Sequence, residues 1–130
     1  MIFRAVVSFV LVLLANAVTA EVPVRQAEVL AIYPHDAQAF TQGLVIENGQ
    51  LFEGTGRLGE SSLRRVNLEN GEILQRKNLG SRYFGEGITI MNDLVYQLTW
   101  QSHLGFVYEL ESFAQRQTFF ISTEGWGLTN

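Results

Sequence analysis

The sequence contains no cysteine, and it contains only two histidines and two prolines. Without cysteine the chain has no disulfide bond, no thiolate nucleophile and no sulfur ligand for a zinc ion. The two histidines, His35 and His103, lie far apart and outside any spacing typical of metal ligands. Thiol chemistry is therefore excluded, and we expect a protein that works without a metal or other cofactor.

Concentrated positive charge is also absent. The chain has 9 Lys and Arg residues against 13 Asp and Glu residues, which gives a formal charge of -4. Proteins that bind nucleic acid concentrate basic residues on one surface. Here the basic clusters are only the pairs Arg64-Arg65 and Arg76-Lys77, which we interpret as solvent-exposed faces of strands. We therefore expect no nucleic-acid partner.

Residues 1–20 resemble a secretory signal peptide. Arg4 precedes an apolar run over residues 5–15, and small residues lead up to Ala20. We expect cleavage after Ala20 and export to the periplasm or the cell exterior, with no stable membrane association after cleavage. The alternative is an uncleaved membrane anchor, which the shortness of the apolar run disfavours.

The rest of the chain is predicted to be all-β, because no apolar pattern of helical period follows Pro23. Apolar or alternating runs alternate with turn dipeptides, and three hairpin turns are predicted at Asn48-Gly49, Asn70-Gly71 and Asn92-Asp93. The eight predicted strands cover residues 43–47, 50–56, 62–68, 72–79, 87–91, 94–100, 106–110 and 116–121. Residues 27–35 occupy the place of a further, outermost strand.

These strands repeat with a shift of 44 residues. The shift places Gly43 on Gly87, Ile46 on Ile90, Phe52 on Tyr96, Leu63 on Val107 and Val66 on Leu110. Four strands in such a period are typical of a β-propeller blade. Residues 21–130 are predicted to form a partial propeller, with blade 1 over about 40–80, blade 2 over about 84–122 and the start of blade 3 over about 124–130. Closed propellers need more blades, so we expect the chain to be an N-terminal fragment.

The inner strand of each repeat begins with a variable residue before a glycine. That residue is Gln42, Glu86 and Trp126 in turn, with Phe40 and Phe84 two residues before the first two. An amide, a carboxylate and aromatic rings around the propeller axis would suit a small polar ligand. The alternative is that both phenylalanines are core residues and that Glu86 is a solvated turn residue.

Four motifs resemble one known family: HDAQAFTQGL (35–44), YFGEGIT (83–89), YQLTW (96–100) and EGWGLT (124–129). The chain is similar to the plant and bacterial type of glutaminyl cyclase, also called glutamine cyclotransferase. The resemblance implies a five-bladed propeller enzyme that needs no metal. It also implies the reaction, in which an N-terminal glutamine of a peptide or protein becomes pyroglutamate and ammonia is released.

The resemblance also implies roles for particular residues. Glu86 matches the catalytic acid of the family, and five positions match the lining of its pocket: Phe40, Gln42, Phe84, Trp100 and Trp126. One carboxylate can take a proton from the attacking amine and return it to the leaving nitrogen. Further lining residues of the family come from blades absent here. The alternative function is a non-catalytic exported propeller module that binds a peptide or small ligand, and the presence of Glu86 favours the enzyme.

Overall fold

A computed structural model describes residues 22–130, so the predicted signal peptide lies outside the described residues. Residues 22–30, the described part of the first of two units, contain no regular secondary structure. The second unit, residues 31–130, contains eight strands, and no helix occurs in residues 22–130. The prediction of an all-β chain is confirmed. Within that range, accordingly, no helix has the length and apolar character of a membrane span.

The strands form two antiparallel sheets, each with the strand order of a meander. The first sheet contains β1 (Thr41–Glu47), β2 (Gln50–Thr55), β3 (Ser62–Val66) and β4 (Ile73–Asn78). The second contains β5 (Gly85–Met91), β6 (Leu94–Thr99), β7 (Leu104–Glu109) and β8 (Gln115–Phe120). The strand predicted at residues 27–35 is wrong, because no strand precedes Thr41 in the described chain. A strand needs a hydrogen-bonded neighbour, and β1 and β4 are the edges of the first sheet.

Two of the three turn predictions are confirmed. Asn48 and Gly49 have φ angles of 49° and 75°, and Asn92 and Asp93 have φ angles of 53° and 58°. Positive φ at both central residues is the requirement of a type I′ hairpin turn. The prediction at Asn70-Gly71 is wrong in its turn type, because only Gly71 has a positive φ there.

A longer loop replaces the tight turn between β3 and β4. The Asn67 side chain accepts hydrogen bonds from the backbone N–H groups of Glu69, at 2.9 Å, and Asn70, at 3.3 Å. The backbone N–H of Asn67 donates to the carbonyl of Glu72 at 2.8 Å. An asparagine that bonds the backbone two residues ahead nucleates such a loop.

The 44-residue repeat holds for the first hairpin of each sheet and then changes. Ile46 pairs with Leu51, and the equivalent Ile90 pairs with Val95. Leu51 pairs with Val66, whereas Val95 pairs with Tyr108 instead of Leu110. The alignment of Leu63 with Val107 and of Val66 with Leu110 is therefore wrong by two residues. The cause is the connection between the second and third strands, which covers residues 56–61 in the first sheet and only 100–103 in the second.

The hydrophobic core contains side chains from both sheets. Phe52 and Leu63 of the first sheet belong to one buried cluster with Ile88, Val95 and Phe106 of the second. The inner strands β1 and β5 are in contact. Packing one sheet face on the other therefore places the starts of the two inner strands side by side.

The interpretation of Arg64-Arg65 as a solvent-exposed face is wrong, whereas Arg76 and Lys77 are exposed as predicted. Arg64 is only 5% exposed. Arg65 lies over the Phe52 ring, 5.3 Å from its centroid, and donates to the carbonyl of Leu110 at 2.7 Å. Both side chains turn inward because buried acceptors and an aromatic face are available to them, which charge counting in a sequence does not reveal.

Candidate active site

Both inner strands contain a β-bulge close to their first residue. In the first sheet Thr41 pairs with Thr55 and Gly43 with Gly54, so that Gln42 is the extra residue. In the second sheet the same irregularity falls between Gly85 and Ile88, around Glu86. A bulge interrupts the ladder and re-aims the side chain at that point, and bulges recur beside active sites. The two bulges lie on adjacent strands, so Gln42 and Glu86 are brought together.

Glu86 is a buried carboxyl group held by one amide. Its residue is 4% exposed, and Gln42 Nε2 donates to Glu86 Oε2 at 2.7 Å. Burial raises the pKa of Glu86 above its ordinary value, and the hydrogen bond from Gln42 lowers this pKa in part. A carboxyl group with a raised pKa is suited to accept and donate protons in turn. Glu86 is thus no solvated turn residue.

Four aromatic side chains form a continuous row, and one of them, Phe84, lies two residues before Glu86 in the chain. The ring centroids of Phe40 and Phe84 are 6.0 Å apart, those of Phe84 and Trp100 are 5.7 Å apart, and those of Trp100 and Trp126 are 6.1 Å apart. The row is open at its ends, since Phe40 is 43% exposed and Trp126 is 57% exposed. Aromatic rings with this exposure are unusual for pure core packing and offer apolar faces to a ligand.

The indole of Trp100 is oriented by a carboxylate. Trp100 Nε1 donates to Glu124 Oε2 at 3.3 Å, and Gln101 Nε2 donates to Glu124 Oε1 at 3.0 Å. The backbone N–H of Gly125 donates to the carbonyl of Trp100 at 2.9 Å. These bonds tie the segment that carries Trp126 to the end of β6, so both indoles are held in one place.

Gly56 contributes space to the site and is absent from the predicted set. Its N–H donates to the carbonyl of Phe40 at 2.8 Å, as the N–H of Trp100 donates to the carbonyl of Phe84 at 3.0 Å. Gly56 therefore holds in the first sheet the position that Trp100 holds in the second. A Cβ atom at Gly56 would lie 2.4 Å from the Phe84 ring, so that only glycine leaves room for this ring. The signal for Gly56 was the 44-residue shift, which places it on Trp100.

The glycine after each variable residue is explained by crowding of the inner strands. A Cβ atom at Gly43 would lie 2.7 Å from the backbone nitrogen of Ile88. A Cβ atom at Gly87 would lie 2.5 Å from the carbonyl oxygen of Trp126, to which the Gly87 N–H donates. Residues 124–130 form no strand in the structure. Trp126 nevertheless precedes a glycine as Gln42 and Glu86 do.

Of the six predicted site residues, Gln42 and Glu86 are thus bonded to each other and the four aromatic residues form one row. The pair and the row meet at Gly56, where a Cβ atom would lie 2.4 Å from the Phe84 ring and 3.1 Å from the Gln42 side chain. Their chemical roles stay predictions. Residues 22–130 contain no group of three histidine or acidic side chains placed to hold a metal ion.

Comparison with known proteins gives matches to one family. A family model described as glutamine cyclotransferase matches residues 4–130. A glutaminyl-peptide cyclotransferase of Arabidopsis thaliana is 39% identical over 107 residues, which are 81% of this chain and 33% of that protein. The crystal structure of Myxococcus xanthus glutaminyl cyclase matches with a TM-score of 0.66 and 39% identity, over 73% of this chain and 40% of that one.

The chain spans about a third of the length of the curated relative that it matches. The family model nevertheless covers nearly the whole chain, including both bulges and the aromatic row. The chain belongs to the glutamine cyclotransferase family.

Proposed function

We propose that the full-length protein is a glutaminyl-peptide cyclotransferase, which converts the N-terminal glutamine of peptides or proteins to pyroglutamate and releases ammonia. The observation that carries the proposal is the buried Glu86 carboxyl group, whose pKa is raised and which accepts a hydrogen bond from Gln42 at 2.7 Å. The Gln42 side chain and the Phe84 ring of the aromatic row both lie close to Gly56. The names of the matching relatives support the same reaction.

The substrate's α-amine arrives as an ammonium group and must lose a proton before it can attack. Glu86, as the carboxylate, takes that proton, and the neutral amine then attacks the carbon of the glutamine γ-amide. Glu86 returns the proton to the departing nitrogen. The attacking nitrogen sheds a second proton through Glu86 as the ring closes, so that the lactam keeps one hydrogen and ammonium leaves. The carboxylate is regenerated, and a single group serves as base and acid.

Gln42 orients the carboxyl group for this exchange. Its amide bonds Oε2 of Glu86, and we assign Oε1 to the substrate's amine. The reaction is intramolecular within the substrate, so that holding the glutamine side chain folded toward its own amine supplies much of the rate enhancement. We assign this holding to the Phe84 and Trp100 rings.

The aromatic rings serve two further purposes in this proposal. An indole face attracts a cationic amine by about 0.5–2 kcal/mol, so Trp100 or Trp126 can hold the ammonium group before it loses its proton. Apolar walls also exclude water, which would otherwise hydrolyse the amide to a carboxylic acid.

The test is Glu86→Gln in the full-length gene product, with pyroglutamate formation from a glutamine-initiated dipeptide as the assay. We expect a loss of about a hundredfold or more, because the amide cannot carry a proton. Burial penalises the ionised form of Glu86, and its raised pKa means that the ionised side chain costs stability at neutral pH. The variant should therefore melt at the same temperature or higher at pH 7. Activity within about tenfold of wild type, a loss below roughly 1.4 kcal/mol, would remove Glu86 from this role.

We also propose that the protein is exported, on the support of the charge, apolar run and small residues in positions 1–20. Export would give the enzyme access to glutamine-initiated peptides or proteins outside the cytoplasm. N-terminal sequencing of the protein from its native host tests this. We expect the mature chain to begin at Glu21, and a retained Met1 would contradict cleavage.

A further inference from the structure

A second buried acid, Glu53 of β2, lies at the centre of a polar network outside the candidate active site. Glu53 is 1% exposed. Its Oε1 accepts a hydrogen bond from the Thr41 hydroxyl at 2.5 Å and lies 2.9 Å from His35 Nε2. Its Oε2 is 3.5 Å from Arg64 Nη1, which also bonds Asp36 Oδ2 at 2.9 Å. The carboxylate is thus compensated from three sides, as a buried charge requires.

The network joins the start of β1 to the middle of the first sheet. Glu53 pairs with Arg64 across β2 and β3, whereas Thr41 belongs to the first position of β1. The partner of Thr41 in the ladder is Thr55, and the next pair is formed by Gly43 and Gly54. Thr41 is therefore the last anchored residue before the bulge at Gln42.

The two bulges are anchored differently. In the second sheet the backbone is bonded on both sides of Glu86, because the Gly85 N–H donates to Ser61 Oγ at 2.9 Å and the Gly87 N–H donates to the carbonyl of Trp126 at 2.8 Å. In the first sheet the position equivalent to Gly85 is Thr41, whose side chain is bonded to the buried Glu53. A bulge loosens the ladder locally, so that an adjacent side-chain bond fixes the direction of the extra residue.

We propose that Thr41 and Glu53 are positioning residues, which fix the bulge so that the Gln42 amide is held against Glu86. The proposal rests on the proposed cyclotransferase function and adds two residues to its machinery. Neither residue touches the substrate. Each acts through Gln42, and the quantity that depends on them is the rate of the proton transfers rather than the affinity for the peptide.

The experiment compares two substitutions at one position in the full-length protein. Thr41→Val keeps the shape of the side chain and removes the hydroxyl, whereas Thr41→Ser keeps the hydroxyl. We expect Thr41→Val to lower kcat about tenfold with KM within about twofold, because misplacing a positioned group reduces rate more than binding. We expect Thr41→Ser to keep kcat within about threefold of wild type. Equal losses in both variants would overturn the proposal.

A double variant tests whether the effect passes through Gln42. If Thr41 acts only by positioning the amide, Thr41→Val should cost little more once Gln42→Leu has removed that amide. A double variant that loses the product of the two single effects would overturn the proposal. Val95→Ala is the control for general destabilisation. Val95 is fully buried and lies in the second sheet, near the turn between β5 and β6 and away from Glu86. A kcat loss in Val95→Ala equal to that of Thr41→Val would likewise overturn it.

A spectroscopic signature separates this inference from the proposed function. In ¹⁵N-labelled protein the side-chain amide signals of Gln42 report its bond to Glu86 without any turnover. We expect these signals to move toward free-amide positions in Thr41→Val and to stay in place in Thr41→Ser and Val95→Ala. Unmoved signals in Thr41→Val would contradict the positioning role, even in a protein found to have no cyclotransferase activity.

Discussion

The first hairpins of the two sheets have the same backbone arrangement and present different side chains on it. Each inner strand begins with a bulge, and a glycine follows the bulged residue. In each sheet the residue just before the inner strand accepts a backbone hydrogen bond from the residue just after the second strand. At equivalent positions the first sheet presents Gln42 and Gly56, and the second presents Glu86 and Trp100. The first sheet therefore supplies a hydrogen-bond donor and open space, and the second supplies the acid and an indole. The repeated backbone places equivalent side chains at equivalent positions, and the different residue types at those positions create the candidate site.

The sheets also differ in how deeply their inner strands are buried. Six of the seven residues of β5 are buried, whereas β1 alternates between half-buried and exposed residues. The reason is that β5 is covered by the first sheet and by residues 126–130, with Asn130 Nδ2 donating to the carbonyl of Ile90 at 2.7 Å. The deeper strand carries the group whose pKa must rise, which is consistent with desolvation as the cause of that rise.

Exchanging the two polar side chains between the sheets should have the largest effect on activity. The double variant Gln42→Glu/Glu86→Gln keeps the composition of the site and moves the acid to the first sheet. We expect a loss of about a hundredfold or more in kcat/KM, similar to that of Glu86→Gln alone, because the carboxylate is then displaced from the reacting nitrogen atoms. Pyroglutamate formation from a dipeptide measures this. Recovery to within about tenfold of wild type would show that any carboxylate in the pocket suffices.

Making the first sheet more like the second should have the next largest effect. Gly56→Ala places a Cβ atom 2.4 Å from the Phe84 ring, which must move. We expect a loss of about 1–3 kcal/mol in stability from overpacking and about a tenfold fall in kcat/KM. Gly80→Ala is the control, since its Cβ atom would meet only the Tyr83 ring, at 3.3 Å. Urea unfolding and kinetics of both variants check this, and equal effects in the two would argue against a special role for Gly56.

Removing the hydrogen-bond donor Gln42 from the first sheet should have a smaller effect, on the pH dependence of activity. The hydrogen bond from Gln42 lowers the pKa of Glu86, so that Gln42→Leu should raise this pKa beyond its value in wild type. Glu86 must be ionised to take a proton, and activity therefore falls as the pH drops through its pKa. We expect the acid limb of the pH profile of kcat/KM to move to higher pH in Gln42→Leu. A limb that stays in place or moves to lower pH would contradict the assignment.

Metal removal should have the smallest effect. The described residues of both sheets hold no cluster of metal ligands, and the sequence contains no cysteine. Incubation of the full-length protein with a strong chelator, followed by the dipeptide assay, should leave kcat and KM unchanged. A loss of activity that added zinc restores would show that a metal ion takes part.

The strands and the repeat were accessible to sequence reasoning because their signals are local. Alternating apolar runs and the turn pairs Asn48-Gly49 and Asn92-Asp93 act within a few residues, and both turns have the predicted conformation. The family motifs supplied the residues of the candidate site. The bond between Gln42 and Glu86 did not follow from either signal, since it depends on two bulges whose offsets are visible only in the paired sheets.

The wrong predictions have different physical origins. Arg64 is predicted exposed from its charge, yet Asp36, Ser62 and Glu53 compensate it inside the sheet. The register of the third strands shifts by two residues because a loop is shorter in the second sheet. Even shifts preserve the alternation of faces, so the hydrophobic pattern alone does not reveal them.

The most direct test of the central claim is to measure one pKa in two ways on the same full-length protein. Titration of the Glu86 carboxyl carbon by ¹³C NMR gives the pKa of the side chain itself, and the acid limb of kcat/KM gives the pKa of the group that must be ionised for turnover. We expect the two values to agree and to lie above the ordinary value of 4.5. An acid limb that differs from the Glu86 titration, or a Glu86 pKa at or below 4.5, would contradict the assignment of Glu86 as the group that carries the proton.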